Sequence, residues 1–75
     1  MLADAETLNK FLDLSWQLHE LTGKRCVEIA HALNATRTLR ELGQTGDGRL
    51  TQEQAVACNR LLERWIQQAK ERNKQ

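Results

Sequence analysis

Apolar residues recur along the chain at helical spacing in three blocks, each bounded by residues that start or stop helices. In the first block, Leu8, Phe11, Leu12, Leu18 and Leu21 form a stripe that Leu14 and Trp16 widen on either side. At about 100° per residue the arc is roughly 200° wide, more than one neighbouring helix can cover. His19 lies inside it. Asp4 is placed to cap the start and Gly23 to supply a left-handed stop, so the block predicts a helix from about 5 to 21.

The third block is the most regular. Cys58, Leu61, Leu62, Trp65, Ile66 and Ala69 share a single stripe roughly 140° wide. Thr51 followed by Gln54 is a capping box, and Leu50 can staple onto Ala55. A helix from about 52 to 72 follows, with Val56 on its polar side. Residues 43–50, GQTGDGRL, hold three of the four glycines and form the expected loop.

The middle block, 24–42, is untidy. Cys26, Ile29, Ala30 and Leu33 make one stripe; Ala32, Ala35, Leu39 and Leu42 make another, turned by roughly 100–150° from the first. A straight surface helix needs only one stripe. The reading adopted is a continuous helix sandwiched between its own core and another subunit. The alternatives are a break near Asn34, and alanines tolerated at the surface.

Composition reinforces the helical reading. There is no proline, and aromatic residues are 4% of the chain, while Ala, Leu, Glu, Gln, Arg and Lys dominate. The expected fold is therefore all-α: an antiparallel three-helix domain, assembling as a helical homodimer. At 75 residues such a domain buries only about 60% of its unfolded surface, so its own core is marginal and self-association adds to it.

The formal net charge of +1 marks no global nucleic-acid field. The charge is uneven, however. Residues 1–22 carry four acids and one base, whereas 23–50 and 51–75 each carry five bases and three acids. Two cysteines are too few for a disulfide framework, and each lies on an apolar stripe. Met1 to Ala5 has no basic stretch of the signal-peptide kind, and no apolar run approaches the length of a membrane span. The expected compartment is the cytoplasm.

Chemistry-bearing motifs are sparse. Gly43 to Gln54 resembles an EF-hand loop, with Asp47 and Gly48 at the fifth and sixth positions. Gly43 and Gln54 stand where the family needs carboxylates, so calcium is not expected. Glu28 and His31 form one ExxH pair, where di-iron bundles use two with further glutamates. Neither cysteine has a base beside it in the sequence. No cofactor, metal or small-molecule substrate is expected, and the protein is read as no enzyme.

Two binding functions remain. The excess of apolar surface predicts a protein-interaction module (an adaptor, inhibitor or regulatory subunit) whose dimer or partner interface includes Leu14, Ala32, Ala35, Leu39 and Leu42. The alternative is a DNA-binding regulator. CVEIAHALNATRTLREL resembles a helix-turn-helix, with Asn34 in the turn and Thr36, Arg37, Thr38 and Arg40 facing the groove. Arg40 stands where that family has an apolar anchor, and Leu39 comes one residue earlier.

Overall fold

The computed structural model of the protein describes residues 2–42 and 50–73. The expected loop, with the pair Asp47–Gly48, lies outside the described residues except for Leu50. Among the described residues the fold is helical, with four helices rather than three: α1 Ala5–Thr22, α2 Cys26–Asn34, α3 Arg37–Leu42 and α4 Gln52–Asn73. No strand occurs among the described residues; an isolated antiparallel bridge joins Leu2 to Thr51.

The helix ends follow from local chemistry. The Asp4 carboxylate accepts the Thr7 N–H at 2.7 Å, and hydrogen bonding from the Thr7 side chain and then its backbone holds the Asp4 pKa below the ordinary carboxylate value. Gly23, at φ 75°, closes α1 by donating its N–H to the His19 carbonyl. Thr51 and Gln54 bond reciprocally, Gln54 N–H to Thr51 Oγ1 at 3.1 Å and Thr51 N–H to Gln54 Oε1 at 3.0 Å.

The middle block is not one helix: it breaks near Asn34, the last residue of α2, and the side chain that bridges the break is Thr36. The Thr36 hydroxyl donates to the Leu33 carbonyl at 2.6 Å. It also accepts, at a long 3.4 Å, from the Leu39 N–H. One side chain thus finishes α2 and starts α3, the local competition with helix that threonine offers. The break corrects the expectation of a continuous helix. It turns the best residue of each stripe into the same core, leaving Leu33 at 2% exposure and Leu39 at 5%.

That core comprises Leu14, Leu18, Ile29, Leu33, Leu39, Cys58, Leu62 and Ile66, with Phe11, Leu21, Leu61 and Trp65 packed against it. Helix α1 lies along α4, α2 packs on α1, and α3 packs on α4. The N-terminal ends of α1 and α4 are clasped together. Gln52 accepts the Asp4 N–H through Oε1 at 2.8 Å and donates through Nε2 to Thr7 Oγ1 at 2.9 Å. Farther along, Asn59 donates to the Thr7 carbonyl and Lys10 pairs with Glu63 at 2.9 Å. The first and last helices therefore run parallel, as an up-down-up order requires.

Candidate functional site

The break at Thr36 determines which surface α1 leaves open. A continuous helix over 24–42 would be ~28 Å long at 1.5 Å per residue, enough to run back along most of α1. Instead α2 stops at nine residues and α3 is diverted onto α4. The wide apolar arc of α1 is consequently split. Phe11, Leu14 and Leu18 face the core, whereas Leu8, Leu12 and Trp16, expected there too, are exposed at 37%, 63% and 57%.

These three residues repeat every four positions, so they stand one above another on consecutive turns. The Trp16 ring lies against that of His19, with centroids 5.3 Å apart and planes tilted by 40°. His19 is in turn held by the Lys24 carbonyl, which lies 2.7 Å from Nδ1 and accepts its proton. The carboxylates of Asp13 and Glu20 are exposed along the same helix. The acidic character of the first third of the chain thus belongs to the helix that carries the open stripe.

The residues expected at a partner interface are dispersed. Leu14 and Leu39 are in the chain's own core, at 8% and 5% exposure, and have almost no area to offer a partner. Ala32 and Ala35 are exposed on and just after α2, and Leu42 is 39% exposed at the end of α3. The sequence pattern showed that the arc of α1 is too wide for one neighbour to cover, but not that Leu8, Leu12 and Trp16 are the part left open.

The residues of the nucleic-acid alternative are also placed. Thr36 is half-buried and occupied in the break. Arg37 donates through Nε to Glu41 at 2.8 Å, while Thr38 and Arg40 are exposed. Leu39 anchors α3 inside the chain, which a recognition helix needs, but α3 has only six residues.

The cysteines separate as well. Cys26, expected on a core stripe, is exposed, because α2 turns Ile29 and Leu33 inward instead. Cys58 is buried, and burial pushes its thiol pKa up to about 11. The raised pKa of Cys58 is the opposite of what an activated nucleophile needs. Among the described residues no group of three or more His, Cys, Asp or Glu side chains is placed to share a metal ion, and no helix is long and apolar enough to cross a membrane.

A concave feature lies toward the C-terminal ends of α1 and α4. Between α2 and α4, over the C-terminal turns of α1, is a cleft of about 480 Å³. Leu18 and Ile29 form its buried base, with Leu21, Ala32, Trp65 and Ala69 around them. Lys24 and Arg72 supply its charged groups. The chain matches no protein-family model, and no curated protein or solved structure shows significant similarity to it.

Proposed function

We propose that this protein is a small, non-enzymatic protein-interaction module, an adaptor or regulatory subunit whose docking surface is centred on Leu8, Leu12 and Trp16. The observation that carries the reading is the open stripe on α1: three large apolar side chains, stacked on consecutive turns and uncovered by the chain's own helices. Aromatic anchors such as Trp16 are enriched at the centres of protein interfaces. Self-association as a homodimer is the economical form, because it adds apolar burial to a domain with a marginal core of its own. Leu42 and the exposed alanines Ala32 and Ala35 are further candidates for such a contact. A reducing cytoplasm is the fitting compartment for two unpaired thiols, one of them exposed.

Sedimentation of the wild type and of a Leu12→Asp/Trp16→Asp variant tests this. A wild-type dimer and a variant that is monomeric but equally helical are expected, since each new carboxylate must be desolvated or protonated in an apolar contact. A variant with the wild-type mass at every concentration overturns the assignment of the stripe.

A DNA-binding reading is kept as the alternative for one reason: the division of 26–42 into two helices with Leu39 anchored beneath the second. It requires a complex with DNA whose affinity falls steeply with salt. Loss of that complex in an Arg37→Ala/Arg40→Ala variant would favour it over protein docking.

A further inference from the structure

We propose that the cleft between α2 and α4 is a binding site for a single-chain amphiphile with an anionic head group. Two properties of the lining point there. Its base is apolar, Leu18 and Ile29 with Leu21, Ala32, Trp65 and Ala69 around them, while Thr22, Gln68 and Asn73 add polar groups to the lining, the mixed surface that an amphiphile matches. Among the described residues its charged groups are Lys24 and Arg72, with no carboxylate beside them. The volume of about 480 Å³ falls within the range of about 300–1,000 Å³ common for small-molecule sites.

The cations are available to a ligand, since neither Lys24 nor Arg72 forms an ion pair among the described residues. Lys24 is also held in place through its backbone. Its carbonyl accepts from His19 Nδ1 at 2.7 Å, and its N–H donates to Thr22 Oγ1 at 3.2 Å. That hydroxyl donates to the Leu18 carbonyl at 2.8 Å, and Gly23 takes the left-handed turn between them. The end of α1 is thereby folded so that Lys24 stands at the cleft. A purely apolar ligand would leave both cations unused. A cationic one would be repelled.

Basic residues at helix C-termini also complement the helix dipole. That role acts on stability, so the test reads stability and binding separately. Trp16→Phe leaves Trp65 as the sole tryptophan, inside the cleft. Titration of this protein with dodecanoate, kept below micelle formation, should change Trp65 emission saturably. Dodecyltrimethylammonium, with the same tail and opposite head, should bind at least about tenfold more weakly, the equivalent of ~1.4 kcal/mol. Adding Lys24→Gln and Arg72→Gln should weaken dodecanoate by a similar factor while leaving the ligand-free melting temperature close to that of the parent. Ala69→Leu, which narrows the cleft, should weaken the response in a protein that remains helical.

Equal binding of the two amphiphiles, or unchanged dodecanoate affinity in the glutamine variant, overturns the proposal. So does the absence of saturable binding. If dodecanoate is without effect and the glutamine variant instead dissociates a wild-type dimer, the cleft belongs to a second copy of the chain and the amphiphile assignment falls.

Discussion

Leu39 and Leu42 lie one turn apart on the same six-residue helix and face different environments, Leu39 5% exposed and Leu42 39% exposed. The difference originates at Thr36, whose hydroxyl ends α2 and starts α3 so that Leu39 turns onto the core beside Leu33. Leu39→Ala should therefore cost about 2–5 kcal/mol, the range for truncating a buried leucine. Leu42→Ala should cost less than about 1 kcal/mol in a monomer, as substitutions away from the core usually do. Urea denaturation followed by circular dichroism measures both. A Leu39 variant with the wild-type midpoint would contradict its place in the core.

Thr36 itself gives a second prediction. Thr36→Ala removes both hydrogen bonds at the break and inserts the best helix former. The two short helices should then compete with a continuous one, which draws Leu39 out of the core. Stability should fall by about 1–2 kcal/mol, the upper part of the range for a lost N-cap, although Ala has the higher helix propensity. A more stable variant would show that the break is not held by this side chain.

The two thiols should differ in reactivity. Cys26 is exposed and should react with a disulfide reagent at the rate of a free thiol, whereas Cys58 should react only after unfolding. The raised pKa of Cys58 has a consequence for stability. The thiol of the unfolded chain ionises near 9.0, while that of the folded chain stays neutral up to about 11. Its contribution is therefore complete below pH 9 and is lost as pH rises towards 11. Cys58→Ala should flatten that alkaline decline. Prompt labelling of both cysteines in the native protein would place Cys58 at the surface.

At the acid end, the capping carboxylate of Asp4 has the opposite sign. Its pKa is depressed by hydrogen bonding from Thr7, so its contribution is present above the unfolded value of 3.8 and is lost as pH falls through the lower folded value. Asp4→Asn, which caps without ionising, should remove this part of the acid dependence. An unchanged acid limb of the stability curve would show that the cap does not couple to folding.

Regular periodicity made much of this architecture legible. Asp4, Gly23 and the Thr51–Gln54 pair are local signals, and each marks a helix end in the fold. The stripe of α4 was readable because the helix has one side to bury. What periodicity does not report is which neighbour covers a face. Leu8, Leu12 and Trp16 repeat as regularly as Phe11, Leu14 and Leu18, and only the diversion of α3 onto α4 separates the exposed set from the buried one. That diversion depends on one threonine whose hydroxyl competes with the helix. The cleft was harder still to foresee, because its lining is drawn from three helices and from both sides of the loop.

The polar atoms inside the core lead to the last prediction. Ser15 is 8% exposed, and its hydroxyl finds no partner among the described residues. It stands on the buried side of α1 next to Leu14, where sequence periodicity gives no reason for a serine. A buried hydroxyl without a partner costs about 1–3 kcal/mol of desolvation, and serine is also a poorer helix former than alanine. Ser15→Ala should therefore stabilise the protein, raising the melting temperature by about 4–8 °C for each kcal/mol gained in a domain of this size. Helix propensity alone would give part of that rise. Asn9→Ala, at an exposed position of the same helix, measures the propensity part, because asparagine is also a poor helix former and no core packing changes. The excess of the Ser15 effect over the Asn9 effect is the cost of the buried hydroxyl. If Ser15→Ala stabilises no more than Asn9→Ala, the hydroxyl is already satisfied, and the core of α1 carries no such penalty.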